Sequence, residues 1–360
     1  MIVNARFLTQ PTTGVQRYGQ ELSRLIKALR PDTRFVSPRN VLHSGIAGEL
    51  NVEKVGTATG HVWEQVALPR FLKKYADGEL LLSLGNTGPV RYDNQIAVIH
   101  DLSVFRHPES YSRKFGLLYR TILPRLVRTC RAIVTDSAFS RDELVSEFGC
   151  DSDAVFVVPC GVGSQFRPDR AAPPEKPYIL AVSSLAPHKN LQRLLDAFEM
   201  AGLRGVTLRV VGTGGSVFAH TSVRGREMSD VTFLGHVAEE QLVDLYRNAS
   251  LFVYPSLYEG FGLPPLEAMA CGCPCLVSNA ASLPEVCGDA AIYCDPASTD
   301  SIAQGMTRLL NDPLLRSDCR QRGLMRAAGF SWEVSARRLL EVIDTVAAER
   351  LSRRAESLSR

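Results

Sequence analysis

Strand-like and helix-like patterns alternate along most of this chain. Short apolar runs are separated by segments in which apolar residues recur every three to four positions. The predicted strands are Ile2–Ala5, Gln95–Ile99, Ala132–Thr135, Ala154–Val158, Tyr178–Val182, Thr207–Val211, Val231–Phe233, Leu251–Tyr254 and Pro274–Val277, and the predicted helices are Val15–Leu29, Leu191–Ala201, Glu239–Asn248, Leu266–Ala270 and Ser331–Arg360. Strands that alternate with helices form parallel sheets covered by helices on both faces, so the pattern predicts the α/β class.

A proline-rich stretch, Phe166–Pro177, interrupts the alternation. Its composition is typical of a linker, and a length of 360 residues favours two domains over one. We therefore predict two doubly wound Rossmann-like domains that face each other across a cleft, at residues 1–168 and 169–334. We expect the last helix, about residues 335–360, to pack back on the first domain. In such sheets ligands bind outside the carboxyl ends of the strands, so the loops after strands are the places to look for a site.

Composition excludes several classes of protein. A hydrophobic content of 45% can supply full cores, which argues against disorder. The sequence contains no apolar run that approaches the roughly 20 residues of a membrane-spanning helix. The first residues, Met1–Phe7, resemble a strand rather than a signal peptide, because no long apolar stretch follows a charged leader. The nine cysteines are odd in number and scattered, which predicts free thiols in a reducing cytosol.

Charge is modest but uneven. Residues 1–170 hold 22 Lys and Arg against 17 Asp and Glu, while the whole chain has a net charge of only +3. This excess, without a recognised motif, argues against nucleic-acid binding. The segment Tyr111–Ile133 is basic and amphipathic. Such a segment is either a solvated helix face or a contact with an anionic membrane surface, and the sequence leaves both interpretations open.

Two carboxylates, Glu259 and Glu267, lie on either side of a turn that contains Gly260 and Gly262. An ionised carboxylate only accepts hydrogen bonds, so two of them suit a ligand rich in hydroxyl groups, such as a sugar or a ribose. The alternative is that Glu267 merely favours the dipole of the following helix, in its first turn, and that Glu259 is a solvated loop charge.

The main chain between these carboxylates contains N–H groups that can donate hydrogen bonds to a ligand. The N–H groups of Phe261, Gly262 and Leu263 can point at an anion, whereas the two prolines that follow cannot donate. A sugar nucleotide contains all the parts that this segment could bind, namely a sugar, a diphosphate and a ribose.

Lys189 occupies a strand end of the same half. It follows the predicted strand Tyr178–Val182 and precedes the helix Leu191–Ala201. A lysine at this position suits a phosphate, for which it is a good point-charge partner. The alternative is a surface lysine beside an N-cap residue, Asn190.

Two more strand ends follow in this half. The glycine cluster Gly212–Gly215 could let a nucleotide approach closely, although a flexible turn has the same composition. The segment Phe233–Val237 could offer backbone groups to the edge of a base.

In the first half, Gly14 opens the first predicted helix and could let the backbone approach a diphosphate. His100 ends the strand Gln95–Ile99 and is expected to point into the cleft. Asp101 beside it is either the residue that orients His100 or a cap for the next helix. For each residue the structural alternative stays open, since an isolated His at a strand end is more often structural than catalytic.

Two sets of residues with metal-like spacing are not predicted to bind metal. Asp151 and Asp153 have D-x-D spacing but lie in a short polar turn. Cys271, Cys273 and Cys275 lack paired C-x-x-C spacing and a partnering His motif, which favours free thiols over a zinc site.

Taken together, these segments resemble family 4 of the retaining glycosyltransferases, which have the GT-B fold. The strongest match is the E-x7-E motif formed by Glu259 and Glu267 in PSLYEGFGLPPLEAMACGCP, and SLAPHKN, FLGHV, VIHDLSVF and TGVQRY match further family stretches. The opening NARFLTQPTTGVQRY is most similar to bacterial surface-polysaccharide enzymes of the mannosyl- or rhamnosyltransferase type.

This resemblance implies a role for each domain and for individual residues. The first domain would bind a glycan or lipid-linked acceptor and the second a nucleotide sugar, with no metal or other cofactor. The implied roles are donor-sugar contact for Glu259, ribose contact for Glu267, backbone contacts for Gly260, Phe261, Gly262 and Leu263, diphosphate neutralisation for Lys189, base contact for Val237, room for the phosphates at Gly14, and a place beside the reacting sugar for His100. The expected enzyme is cytoplasmic, or peripheral on the inner face of the cell membrane.

One position departs from the family pattern. Many relatives have a second phosphate-binding cation, an arginine, five residues before the lysine, where this chain has Ser184. Either His188 or Arg17 compensates, or diphosphate binding is weaker. The alternatives to transfer are an epimerase or phosphorylase of the same fold, or a sugar-nucleotide-binding protein without activity.

Overall fold

The computed structural model describes residues 1–76, 78–169, 176–212 and 229–358. It divides the chain into two compact units. The first unit comprises Met1–Arg106, Arg113–Gly161 and Ser331–Arg360, and the second comprises His107–Ser112 and Val162–Phe330.

Each unit contains one sheet of parallel strands. The strands are β1 (Ile2–Asn4), β2 (Arg34–Ser37), β3 (Glu53–Lys54), β4 (Leu81–Ser83), β5 (Gln95–Val98), β6 (Ala132–Thr135) and β7 (Val155–Val157) in the first unit, and β8 (Tyr178–Val182), β9 (Thr207–Val211), β10 (Val231–Gly235), β11 (Leu251–Tyr254), β12 (Cys275–Ser278) and β13 (Ile292–Cys294) in the second. The orders are β3-β2-β1-β4-β5-β6-β7 and β10-β9-β8-β11-β12-β13. In each sheet the direction of winding reverses once, between β1 and β4 and between β8 and β11. Ligands of doubly wound folds bind at such reversals.

The helices connect these strands. They are α1 (Gly14–Leu29), α2 (Ser44–Glu49), α3 (Gly60–Val62), α4 (Leu68–Tyr75), α5 (Ser103–Arg106), α6 (Arg113–Thr129), α7 (Ala138–Phe148), α8 (Leu191–Ala201), α9 (Glu239–Asn248), α10 (Leu263–Ala270), α11 (Leu283–Cys287), α12 (Thr299–Asn311), α13 (Pro313–Ala328) and α14 (Trp332–Leu358). Shorter turns of 3-10 helix occur at Arg6–Thr9, Pro108–Ser110, Ser152–Ala154, Pro187–Lys189 and Gly288–Ala290, and Trp63–Ala67 is π-helical. Within the described ranges, no helix is long and apolar enough to cross a membrane.

Buried aliphatic side chains pack against both sheets and stabilise them. In the first unit Ile2, Val36 and Leu81, from neighbouring strands, are fully buried and pack with Trp63. In the second unit the inward faces of β8, β9 and β11 pack against α8 and α12. The last helix, α14, packs on α1, where the ring of Trp332 meets that of Tyr18 at 5.9 Å.

The structure confirms the predicted alternation of strands and helices. The bounds of β6, β8, β9, β11, α8 and α9 are those predicted, and β1, β5, β7, β10 and β12 agree within two residues at each end. Helix α10 begins at Leu263 rather than at the predicted Leu266, because proline is tolerated in a first helical turn. Residues 170–175 of the predicted linker and the last two residues of the predicted final helix lie outside the described residues.

Candidate functional site

Two loops meet beside the reversal of the second sheet. Lys189 ends the 3-10 turn Pro187–Lys189 that follows β8, and Glu259 lies in the loop that follows β11. Because β8 and β11 are neighbouring parallel strands, their carboxyl ends share one edge of the sheet. The structure therefore brings together two side chains that lie 70 residues apart in the sequence.

Lys189 and Glu259 form an ion pair. The ammonium nitrogen Nζ lies 2.8 Å from Oε1 and 2.9 Å from Oε2 of the carboxylate, and it also donates to the hydroxyl of Tyr254 at 3.3 Å. The side chains of Lys189 and Glu259 are only 22% and 11% exposed. Glu259 is therefore not a solvated loop charge, and Lys189 is not an unattached surface lysine. Both structural alternatives are wrong for these two residues.

Each member of this pair stabilises the charge of the other. Burial lowers the pKa of Lys189, but the charge of Glu259 raises it by a larger amount, so the pKa lies above its ordinary value. Burial raises the pKa of Glu259, and the charge of Lys189 reverses this effect to leave it below its ordinary value. Both groups are consequently ionised at neutral pH.

The turn after Glu259 requires a glycine. Gly262 has φ +116°, which side-chain-bearing residues rarely adopt, and a Cβ added there would lie 2.6 Å from Cδ2 of Leu283. The hydroxyl of Ser282 lies 2.9 Å from the carbonyl oxygen of Glu259 and 2.7 Å from that of Phe261. These contacts hold the turn against the first residues of α11.

The start of α10 leaves main-chain donors available. Within the described part of the chain, the N–H groups of Phe261, Gly262 and Leu263 have no hydrogen-bond acceptor. Such groups at a helix N-terminus attract anions. The side chains of Phe261 and Leu263 are themselves buried, so only their backbone could contact a ligand.

Glu267 lies in the same helix but is held differently. It is the fifth residue of α10, not part of the first turn as predicted, because the helix begins earlier than expected. Its carboxylate is 6% exposed and accepts a hydrogen bond from the hydroxyl of Tyr246 at 3.3 Å. The two acidic residues therefore have separate partners, which suits contact with two different parts of one ligand.

Asn190 has an unpredicted role. It adopts φ +60°, and its side-chain amide donates to the carbonyl oxygens of Pro255 (2.9 Å) and Pro296 (2.7 Å). It occupies the N-cap position of α8, as the alternative interpretation has it, but its side chain makes no capping bond to that helix. Asn190 instead ties the loop after β8 to the loops after β11 and β13.

Ser184 and His188 lie close to Lys189 in the sequence, and Ser184 stands where many relatives have a second phosphate-binding cation, an arginine. At position 184 the serine hydroxyl accepts a hydrogen bond from the N–H of Ala186 at 3.4 Å. His188 is buried, and its Nδ1 lies 2.8 Å from the hydroxyl of Ser110, within the second unit. His188 thus already has a partner in this structure.

Two other strand ends complete this edge. Gly212 has φ +138°, and a Cβ there would lie 1.6 Å from the carbonyl oxygen of Ser183. Its N–H donates to the carbonyl oxygen of Gly235 at 2.8 Å, which joins the ends of β9 and β10. Val237 follows β10 and is partly exposed. Residues 213–215 of the predicted glycine cluster lie outside the described residues.

His100 lies in the first unit with both ring nitrogens engaged. Nδ1 is 2.7 Å from Oδ2 of Asp136, and Nε2 is 3.1 Å from the carbonyl oxygen of Leu84. Burial lowers the pKa of His100, but Asp136 raises it by more. Asp136, at the end of the neighbouring strand β6, therefore orients the ring. Of the two roles open to Asp101, the structure supports the helix cap, because its carboxylate accepts from the N–H and hydroxyl of Ser103 at the start of α5.

Gly14 also belongs to the first unit. It is the first residue of α1 and is exposed, after Thr13 as the N-cap. The structure thus gathers Lys189, Glu259, Glu267 and the turn between the two glutamates in the second unit, while Gly14 and His100 lie in the first.

The residues with metal-like spacing have ordinary structural roles. Asp151 caps a 3-10 turn by accepting from the N–H of Asp153 at 3.0 Å, and all nine cysteines are free thiols. Within the described residues, no cluster of His, Cys, Asp and Glu could hold a metal ion.

Sequence comparison finds relatives along most of the chain. Residues 164–325 match the family described as Glycosyl transferases group 1. The chain is 34% identical over 261 residues to the O-antigen chain mannosyltransferase B of Escherichia coli, and the match covers 68% of each protein. It is 32% identical over 230 residues to the O-antigen chain mannosyltransferase RfbU of Salmonella typhimurium, over 63% of this chain and 64% of the relative. Against the serotype-specific mannosyltransferase WbdA of Escherichia coli the identity is 30%, over 68% of this chain but 33% of that longer protein.

Solved structures share the architecture over nearly the full length. A sucrose-phosphate synthase from Thermosynechococcus elongatus superposes with a TM-score of 0.75 at 18% identity, covering 97% of this chain and 98% of that one. WaaG, a glycosyltransferase involved in lipopolysaccharide biosynthesis, gives a TM-score of 0.72 at 14% identity, over 95% and 98%. Together with the two parallel sheets, these likenesses confirm the predicted GT-B fold of two doubly wound Rossmann-like domains.

Proposed function

This chain belongs to the group 1 glycosyl transferases and is a sugar-transferring enzyme, and we propose that it acts in surface-polysaccharide synthesis as a retaining, metal-independent hexosyltransferase. The proposed donor is GDP-mannose or a related GDP-sugar, and the proposed acceptor is a hydroxyl of a lipid-linked saccharide or an oligosaccharide. The names of the relatives in Escherichia coli and Salmonella typhimurium, all mannosyltransferases, support mannose as the sugar.

The Lys189–Glu259 pair carries this proposal. It places a cation that suits phosphate and a carboxylate that suits sugar hydroxyls within 2.9 Å of each other, beside the main-chain donors of the α10 N-terminus. A nucleotide sugar has its diphosphate bonded directly to its sugar, so it needs such groups side by side. Glu267 would accept from the ribose, Val237 would meet the base, and Gly14 would leave room for the phosphates.

The proposed chemistry centres on departure of the leaving group. The bond between the anomeric carbon and the diphosphate oxygen breaks, and negative charge grows on the diphosphate. Lys189 and the N–H groups of Gly262 and Leu263 would stabilise this charge, a form of preorganised electrostatic stabilisation. Because Glu259 raises the pKa of Lys189 in the ligand-free chain, the lysine is protonated when the donor binds.

The acceptor oxygen would attack the same face of the sugar from which the diphosphate leaves, so the anomeric configuration is retained. Its proton would pass to the departing phosphate oxygen, which balances the step without a separate base. His100 would lie beside the reacting sugar. In the ligand-free chain its ring is hydrogen-bonded to Asp136 and to the carbonyl oxygen of Leu84. A direct contact with the sugar would therefore require Nε2 to leave the Leu84 carbonyl oxygen and bond to the sugar instead.

A transfer assay tests this proposal. Purified protein is incubated with GDP-mannose and a lipid-linked saccharide, with and without EDTA, and the product linkage is read by NMR. We expect an α-linked product that EDTA does not suppress. Product from the donor alone, or only with phosphate as acceptor, would support an epimerase or a phosphorylase instead. Donor binding without any turnover would support a binding protein.

We also propose that α6 contacts the inner face of the cell membrane, where a lipid-linked acceptor would be reached. Its buried side packs in the first unit, while Arg120, Arg125 and Arg128 are exposed and Leu117 is 69% exposed. Basic residues with an exposed apolar side chain suit an anionic surface. Co-sedimentation with anionic vesicles tests this contact, and equal binding after neutralising the three arginines would contradict it.

A further inference from the structure

We propose that Tyr246 is a positioning residue, whose hydroxyl holds the Glu267 carboxylate in the orientation that recognises the donor ribose. This inference rests on the proposed function, since it takes Glu267 as the ribose contact. Tyr246 belongs to α9 and is fully buried, and its hydroxyl lies 3.3 Å from Oε2 of Glu267 in α10. The contact joins α9 to α10.

Packing fixes where this hydroxyl can lie. The ring of Tyr246 meets Phe252 edge-on, with centroids 5.4 Å apart and an interplanar angle of 72°. It also meets Phe166 at 6.1 Å and 64°. Two aromatic neighbours restrict the orientations open to this buried ring. They thereby hold its hydroxyl near the Glu267 carboxylate.

The direction of the hydrogen bond is also fixed. Burial and the charge of Glu267 both raise the pKa of Tyr246 well above its ordinary value of 10, so the hydroxyl keeps its proton. An ionised carboxylate can only accept, and its terminal torsion is broad without such a partner. The Tyr246 hydroxyl narrows that torsion, and this preorganisation helps a carboxylate that must accept two hydroxyls of a ribose at once.

Ribose recognition can be measured with a pair of nucleotides. Calorimetry gives the affinity of the full chain for GDP and for 2′-deoxy-GDP, with UDP and 2′-deoxy-UDP as a second pair. A hydrogen bond to a carboxylate is worth about 1.5–3 kcal/mol, so the wild type should prefer the ribonucleotide by roughly 10- to 100-fold. The Tyr246→Phe variant keeps the ring but loses the hydroxyl. We expect it to bind the ribonucleotide about five- to tenfold more weakly and the deoxynucleotide within about twofold of wild type.

Tyr178→Phe is the matched control. Tyr178 is also buried, and its hydroxyl donates to the carbonyl oxygen of Leu245 in the same helix α9 at 2.7 Å, but it does not touch Glu267. This variant should keep the wild-type preference for the ribonucleotide. In a transfer assay, Tyr246→Phe should raise the donor KM with little change in kcat, a split that general loosening of α9 would not produce.

The outcomes separate this inference from the proposed function. An unchanged ribonucleotide preference in Tyr246→Phe overturns the role of Tyr246 alone. An equal loss for both nucleotides, matched by Tyr178→Phe, also overturns it, because the hydroxyl would then act only through packing. An unchanged preference in Glu267→Gln overturns the ribose contact of Glu267, and failure of all four nucleotides to bind overturns the proposed donor site itself.

Discussion

Nζ of Lys189 lies within 2.9 Å of both carboxylate oxygens of Glu259, beside the point where the strand order of the second sheet reverses. The two residues neutralise each other in the ligand-free chain. A donor that binds here brings a diphosphate for the lysine and hydroxyls for the carboxylate, so each residue exchanges one partner for another. Neither charge is then left buried without a partner. An unpaired buried charge would raise the free energy of the complex.

Removing Lys189 should affect activity and stability together. We expect Lys189→Ala to lower turnover by about 10²–10³, because one preorganised contact to the leaving group is lost. The free energy of unfolding should also fall by about 2–4 kcal/mol, since Glu259 loses its counter-charge. Turnover and urea unfolding measure the two effects.

The double variant Lys189→Met with Glu259→Gln is the control for stability. It removes both charges, so it should recover most of the stability while remaining inactive. Near-normal turnover in Lys189→Ala would contradict the role of the lysine, and a double variant no more stable than Lys189→Ala would contradict the coupling.

Gly262→Ala should deform the turn between the two glutamates. The new methyl group would meet Cδ2 of Leu283 at 2.6 Å, and φ +116° is strained for alanine. We expect a loss of about 2–4 kcal/mol in the free energy of unfolding, together with weaker nucleotide binding. Gly202→Ala is the matched control, because Gly202 has φ +56° but no atom within 4 Å of an added Cβ. Equal losses in the two variants would show that Leu283 does not restrict this position.

The pKa of His100 should depend on Asp136 rather than on its neighbour in sequence. Asp136 raises the pKa of His100, so Asp136→Asn should lower it. Asp101→Asn should change it much less, because Asp101 is bonded to Ser103. NMR titration of the His100 ring measures both variants, and a larger shift in Asp101→Asn would reverse the assignment.

Acid should destabilise the first unit through Glu64. This residue is fully buried and accepts from Asn4 (2.8 Å), Arg6 (2.9 Å) and Thr87 (2.6 Å). Burial raises the pKa of Glu64, but Arg6 and the other donors bring it down to about 2 from 4.5. Because the folded-state pKa is depressed, the stabilisation is present above pH 4.5 and is lost as the pH falls toward 2. Its size is about 3 kcal/mol.

Unfolding measured between pH 5 and pH 2 checks this prediction. In Glu64→Gln the slope of stability against pH should be smaller than in wild type. Equal slopes in wild type and Glu64→Gln would show that Glu64 does not titrate as described.

Local patterns were sufficient to predict the parallel sheets and the strand ends at which Lys189 and Glu259 lie. They could not predict the ion pair, because it depends on β8 and β11 being neighbours, and strand order is not encoded in local periodicity. Asp136 could have been found from its position at the end of a predicted strand. The N-cap position of Asn190 could be predicted, but not its side-chain bonds to Pro255 and Pro296, because these join loops that are distant in sequence.

The sequence around Tyr246 gives no indication of its contact with Glu267. Tyr246 occupies a helical position where a buried aromatic residue is usually part of the core, and its contact with Glu267 is set by the packing of α9 beside α10. The position of Glu267 beyond the first turn of α10 was missed for a related reason. Prolines mark a helix start only to within a few residues, so the position of Glu267 relative to the first residue of α10 could not be derived from the sequence.

A crystal structure of the chain with an unreactive 2-fluoro analogue of GDP-mannose tests the central claim most directly. We expect the diphosphate within hydrogen-bonding distance of Lys189 Nζ and of the N–H groups of Gly262 and Leu263, the sugar on Glu259 and the ribose on Glu267. A nucleotide sugar bound elsewhere, or bound while Lys189 keeps both contacts to Glu259 and touches no phosphate, would contradict the account.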